Sequence, residues 1–160
     1  MPVDYIKYIR KKIGHDRLLS VGNSTVIFNE KNEVLLEKRA DNGQYCFPGG
    51  GLDFDETVEE GMRREVKEET GLELKDVKLI GIRSGRKQQF RYPNGDVTDY
   101  VDFYFLARAV DLSRLKKEDD EVVNLKFYSL DELPPESEFL RGTYFLLEKL
   151  KKNDLTFFLD

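Results

Sequence analysis

The chain has 160 residues, 39% hydrophobic and 12% aromatic, enough for one folded domain with a sizeable core. A net charge of -5 and a pI near 5.1 argue against a protein that coats nucleic acid or lies on an anionic membrane, and no stretch approaches the roughly 18 uninterrupted apolar residues of a spanning helix. Cys46 is the single cysteine, which excludes an internal disulfide and a cysteine-based zinc set and leaves a soluble, cytoplasmic protein as the expectation.

Tyr5, Ile6, Ile9 and Ile13 fall at helical spacing before Gly14. They predict a short amphipathic helix within residues 1–14, packed across the domain or against a partner subunit, so a homodimer stays open. His15 reads as a surface or capping residue rather than a base. Leu18 to Asn29 and Val34 to Arg39, rich in Val, Ile and Leu, read as two strands of a hairpin. A polar loop at 40–43 leads through Gln44–Phe47 into the turn Pro48-Gly49-Gly50-Gly51, whose glycines let backbone approach a ligand or metal closely.

Thr57 with Glu60 three residues on makes a capping-box pattern, and Gly71 is a natural C-terminal cap, so a helix is predicted over residues 58–70. Val58, Met62 and Val66 form its apolar stripe, immediately beside a stripe of Glu65, Glu68 and Glu69. Glu59–Arg63 and Glu60–Arg64 are favourable i, i+4 pairs, whereas the three glutamates share a face without a cation of its own. Like charges at that spacing cost about 0.2–0.5 kcal/mol per pair, and carboxylates oppose the dipole near a helix C-terminus. Hard oxygen donors gathered against those preferences are what magnesium or manganese takes as ligands. Gly61, one turn before Glu65, is explained equally well by a close approach or by simple tolerance.

Asp76–Arg83 reads as a strand, Gln88–Tyr92 and Val97–Ala109 as a hairpin around Pro93-Asn94-Gly95, and Val122–Ser129 as a further strand. The acidic run at 116–121 reads as solvated, with one of its carboxylates held as a functional candidate. Residues 129–134 read as a turn into a short helical segment, and a last helix is predicted over Phe139–Lys151. With no linker or repeat, residues 1–160 are expected to form one domain of α/β (α+β) class with a mixed sheet between helices.

Gly50, five residues, Glu56, seven residues, then Arg64-Glu65-Val66-Lys67-Glu68-Glu69-Thr70-Gly71-Leu72 fill every fixed position of the Nudix box, and the chain resembles a Nudix hydrolase. The strands before the box and the segment at 127–134 are similar to the rest of a Nudix domain. The N-terminal helix and the 91–96 hairpin resemble those of a bacterial subgroup. The resemblance implies an α/β/α sandwich with a loop-helix-loop at residues 50–72. It implies Glu65, Glu68 and Glu69 as metal ligands or base for Mg2+ or Mn2+, the Gly49 carbonyl as a further ligand, Arg64 orienting a glutamate, Glu56 supporting the loop, and Gly50 and Gly71 shaping the turns. Four positions depart from the common pattern: Asp55 for Gly, Cys46 and Phe47 for Trp and Leu, and Asn124 for a Glu whose nearest substitutes are Glu121 or Asp120.

The activity so implied is metal-dependent hydrolysis of a pyrophosphate bond in a nucleoside diphosphate linked to another moiety, by water attack on phosphorus. The substrate is a small nucleotide-type molecule, with ADP-ribose or another nucleotide sugar, a modified triphosphate and a capped RNA end all open. Neither a membrane nor an extended nucleic-acid surface is expected. Tyr45, Phe47, Phe90 and Tyr92 are candidates either to stack a base or to fill the core. The alternative is a nucleotide-sensing or protein-binding module that keeps the fold without turnover.

Overall fold

The computed structural model describes residues 3–117 and 120–160. Its sheet has eight strands: β1 (Leu18–Phe28), β2 (Val34–Arg39), β3 (Tyr45–Cys46), β4 (Leu74–Arg83), β5 (Gln89–Arg91), β6 (Val97–Ala109), β7 (Val122–Tyr128) and β8 (Phe158–Leu159). They are ordered β3-β2-β1-β6-β4-β8, with β5 joined to β6 and β7 to β2. Three helices accompany them: α1 (Tyr5–Ile13), α2 (Val58–Thr70) and α3 (Arg141–Lys151).

Strand alternation divides the core into two layers. Val26, Val34, Leu36 and Tyr104 pack with Leu146, Leu147 and Leu150 of α3. Their sequence neighbours Ile27, Leu35 and Phe105 pack with Met62 and Val66 of α2. A mixed sheet between helices, the predicted sandwich, follows from this alternation. β1 and β6 pair in parallel over the whole of β1, from Leu18↔Thr98 to Phe28↔Arg108.

The expected hairpin of β1 and β2 is antiparallel but shares only the pair Phe28↔Val34. The rest of that edge of β1 is taken by the glycine turn: Thr25 N–H donates to Pro48 O at 2.8 Å, Asn23 N–H to Gly50 O at 2.9 Å, and Leu52 N–H to Val21 O at 3.0 Å. The β5–β6 hairpin forms as predicted, from Gln89↔Asp99 to Arg91↔Val97. The segment after residue 134 is helical only at Glu136–Glu138, as a single 3-10 turn. β8 escapes sequence reading, because two residues carry no periodicity. It lies parallel to β4, and Asp160 there pairs with Arg83 at 3.1 Å.

α1 packs on its own chain. Asp4 caps it by accepting from Lys7 N–H at 2.9 Å, Tyr5 N–H donates to Asp53 Oδ1 at 2.7 Å, and Arg10 donates to Val97 O and Thr98 Oγ1 at 3.1 and 2.9 Å. The helix thereby bridges the loop before α2 and the β5–β6 hairpin. His15, its side chain 72% exposed, holds Asp96 at 2.7 Å.

α2 begins and ends where its caps dictate. Thr57 Oγ1 accepts from Glu60 N–H at 3.2 Å while Glu60 Oε2 accepts from Thr57 N–H at 2.8 Å, and Gly71 closes the helix in the left-handed conformation at φ 73°. Replacing Thr57 by Ala removes one half of this exchange. The expected loss is about 1 kcal/mol, read as a lower urea midpoint with an unchanged m value.

Candidate active site

Pro48–Gly51 lies wedged between β1 and α2. A Cβ on Gly49 would stand 2.1 Å from Asn23 O, and one on Gly50 would stand 2.5 Å from Glu65 Cδ, so no side chain fits between strand and helix. Gly49 N–H donates to Glu69 Oε2 at 2.9 Å. The carbonyls of Pro48 and Gly50 are bonded into β1, whereas among the described residues no donor meets the Gly49 carbonyl. Gly61 accommodates the loop before the helix: a Cβ there would lie 2.7 Å from Leu52 Cδ1 and 3.0 Å from Glu56 Oε2.

The acidic face of α2 does have a cation. Arg64 does not pair with Glu60, which is taken by Thr57. It forks onto Glu56 at 2.6 and 3.0 Å and reaches Gly51 O at 3.0 Å, Glu65 Oε1 at 2.9 Å and Glu68 Oε2 at 3.3 Å. A planar, five-donor guanidinium can serve several acceptors at once, and of these contacts only the one to Glu68 is an i, i+4 pair. Glu59–Arg63 forms as expected, at 2.8 Å. The Arg64 fork holds the Glu56 carboxyl below its ordinary range. Asp53, which binds the start of α1, adds a longer pair to Arg64 at 3.4 Å.

The three box glutamates differ in setting. Glu68 is half exposed, Glu65 is mostly covered, and Glu69 is 6% exposed. Burial outweighs the Arg64 pair and pushes the Glu65 carboxyl up to about 7. Burial, then the charges of Glu37 and Glu65, push the Glu69 carboxyl well above the ordinary carboxylate range. Among the described residues no three carboxylate, imidazole or thiol groups converge as a ready-made metal cage, since Arg64 draws Glu65 and Glu68 while Glu69 turns to Gly49 and Glu37. The donor set nonetheless suits a hard divalent cation: three carboxylates, one buried and one mostly covered, beside a peptide carbonyl that meets no donor among the described residues.

Glu37 escapes prediction. It lies in β2, 2% exposed, on the same strand face as Leu35, and accepts from Cys46 Sγ at 3.2 Å. The signal was present in Val34-Leu35-Leu36-Glu37, where alternation places one glutamate among residues that turn to the interior. Asp55, in place of the usual glycine, adopts φ 64°, a left-handed conformation that aspartate tolerates better than most residues.

Two adjoining cavities open on the glycine turn. The larger, about 510 Å3, is lined by Glu65, Glu68 and Glu69 together with Arg10 of α1 and Glu121. The smaller, about 340 Å3, lies on the α3 side and is lined by Phe90, Tyr92, Tyr100 and Asp102, among others. Arg39, Gly49, Gly50, Tyr92 and Tyr100 border both. Of the two substitute carboxylates, Glu121 borders the larger cavity and its carbonyl accepts from Ala40 N–H at 2.8 Å. Asp120 is fully exposed, with Lys117 at 3.9 Å, and the neighbouring acidic residues 118 and 119 lie outside the described residues. Asn124 sits opposite Lys38 in the β2–β7 pair. Phe47 belongs to the core and also borders the smaller cavity, Tyr45 packs on Tyr128 and Phe139, and Phe90 and Tyr92 face the smaller cavity.

Glu65 binds its proton more tightly in the folded chain than in the unfolded one. Between about pH 4.5 and 7 the folded state therefore holds the extra proton, and stability falls as pH rises through that window. Chelator-treated protein should lose up to about 3 kcal/mol across it from this group, and buried Asp102 acts in the same direction. Glu65→Gln should flatten the dependence, measured as urea midpoint against pH.

The NUDIX domain family profile matches residues 19–147. The chain is 45% identical to a MutT-like protein of Streptomyces ambofaciens over 65 residues, covering 41% of this chain and 42% of that protein. It is 38% identical to an ADP-ribose pyrophosphatase of Methanocaldococcus jannaschii over 111 residues, covering 68% and 61%. The chain thus spans less than two thirds of the length of these curated relatives. A crystal structure of a MutT NUDIX hydrolase from Burkholderia pseudomallei superimposes with a TM-score of 0.68 at 26% identity, covering 82% of this chain and 98% of that one. With the box residues gathered at one loop-helix junction and the profile matched over most of the sequence, the chain belongs to the NUDIX domain family.

Proposed function

We propose that residues 1–160 act as one Nudix unit that hydrolyses the pyrophosphate bond of a nucleoside diphosphate linked to another moiety. The observation that carries this reading is a pair of carboxylates, the buried Glu69 and the mostly covered Glu65, set against the Gly49 carbonyl, which meets no donor among the described residues, at the mouth of two joined cavities. A fold does not by itself gain from burying two acids on one helix face. A divalent cation would compensate them, and members of the family generally work with one.

In this reading Glu65, Glu68, Glu69 and the Gly49 carbonyl hold Mg2+ or Mn2+. When bound, such an ion polarises a phosphoryl oxygen, lowers the pKa of water and offsets the charge of the diphosphate. Arg64 keeps Glu65 and Glu68 aimed at the turn while its fork on Glu56 fixes the loop below. A box glutamate not engaged as a ligand takes the proton of the attacking water. Glu37 holds Glu69 from behind. The larger cavity receives the diphosphate, and the smaller takes one of the groups it joins.

The archaeal relative makes ADP-ribose the first compound to assay, alongside nucleotide sugars, modified triphosphates and a 5′-capped or triphosphorylated oligonucleotide. Product, made visible by a coupled phosphatase, should appear with Mg2+ or Mn2+ and vanish on chelation. Glu69→Gln should lower turnover about 100-fold or more. No turnover on any diphosphate, or full activity in Glu69→Gln, would overturn the assignment.

A further inference from the structure

The floor of the smaller cavity is a carboxylate that the hydrolysis proposed above does not use. Alternation along β6 puts Asp102 on the face of Tyr104, toward α3, and the parallel register sets it beside Gly22 of β1. A Cβ at Gly22 would come within 2.7 Å of Asp102 Oδ1. Glycine at that position leaves the carboxylate open to the cavity that both residues line.

Asp102 has no ion pair among the described residues. Its side-chain donors are the Ser24 hydroxyl, at a long 3.4 Å, and the Tyr104 hydroxyl. Tyr104 OH accepts from Gln88 Nε2 at 3.0 Å, so its own proton is directed to Asp102. Gln88 is 1% exposed, and its Oε1 meets no donor among the described residues. That oxygen lies 3.4 Å from where a Cβ on Gly142, another lining residue, would stand. The floor is thus a carboxylate short of donors, with a further unmet acceptor, Gln88 Oε1, buried behind it. An ionised carboxylate has about four lone-pair sites, and the protein supplies side-chain donors to two. Burial raises the Asp102 carboxyl to about 7, as expected of a group whose hydration has not been fully replaced.

We infer that Asp102 is a specificity-determining residue that receives a substrate group presenting two adjacent hydrogen-bond donors. The N1–H and amino edge of guanine and the vicinal diol of a ribose share this chemistry. Adenine and uracil edges place an acceptor beside a donor and would set a lone pair against the carboxylate. Phe90 and Tyr92 in the cavity wall offer apolar faces to either group. As substrate selection the inference rests on the hydrolase reading, but the binding it describes does not need the glutamates.

The test is calorimetric binding to the intact chain in chelator, which keeps it independent of turnover. The probes are guanosine, inosine and 2′-deoxyguanosine 5′-monophosphates. Loss of a donor to a buried charged acceptor should weaken binding about 10- to 100-fold. Tighter binding of the guanosine than the inosine compound assigns the base edge, and tighter binding of the ribo than the deoxyribo compound assigns the diol. Asp102→Asn should narrow that preference to within about threefold. Equal affinities, no binding by any probe, or an undiminished preference in folded Asp102→Asn overturn the inference. If the variant does not fold, the wild-type ratios decide alone. A chain that shows the preference but hydrolyses no diphosphate refutes the hydrolase reading and not this one, and hydrolysis without the preference refutes only this one.

Discussion

The structure depends on a contact between backbones. Pro48–Gly51 lies along the edge of β1, bonded through Thr25 and Asn23, with no room for a Cβ on Gly49. Several features follow. The edge of β1 is closed without β2, which is then free to pair with β7. The flanking carbonyls are spent on β1, so the one between them points elsewhere. α2 can approach until Glu69 accepts from Gly49 N–H and Arg64 reaches Gly51 O. A side chain at Gly49 would push strand, turn and helix apart together, because the obstructing atoms are backbone that has no rotamer to change.

Electrostatics explains how the helix tolerates its own sequence. Three glutamates near a C-terminus oppose both one another and the helix dipole. Arg64 answers two of them and also Glu56, Asp53 and a carbonyl. Glu69 lies beyond its reach and is held differently, by a peptide N–H, with burial and the nearby Glu37 charge favouring its protonated form. The helix thus carries a half-exposed and a mostly covered acid that share Arg64, and a buried acid whose carboxyl is pushed well above the ordinary range. Such a division leaves Arg64 as a group that any bound cation competes with.

What was legible in the sequence was local. Caps at Thr57 and Gly71 set α2 to its observed limits, and the spacing within the box brought Glu65, Glu68, Glu69, Arg64 and the glycine turn together. Long strands with apolar alternation, β6 above all, were equally plain. Pairings across distance were not. Helix spacing alone pairs Arg64 with Glu60, because it sees only one helix, yet its partners include Glu56 in the preceding loop. Glu37 was unseen because its partner Glu69 lies on another element. Asp102 gained its meaning only from Gly22, eighty positions earlier and adjacent solely through the parallel β1–β6 register.

This difference reflects how the two faces of the sheet are built. On the α2 face, one continuous stretch of turn and helix supplies Asp53, Arg64, Glu65, Glu68 and Glu69, so spacing along the chain determines their spacing in the site. On the α3 face the smaller cavity draws on β1, the loop after β2, the β5–β6 hairpin, β6 and the start of α3. No interval in sequence fixes those distances. A change at Gly22, Ser24, Gln88 or Asp102 could alter what the cavity accepts without moving the glycine turn, since Val26/Ile27 and Tyr104/Phe105 direct successive residues to opposite layers. In the reading proposed here, chemistry is therefore written mostly in one segment and choice of substrate in many, and the same alternation that builds the sandwich allows the two to vary separately.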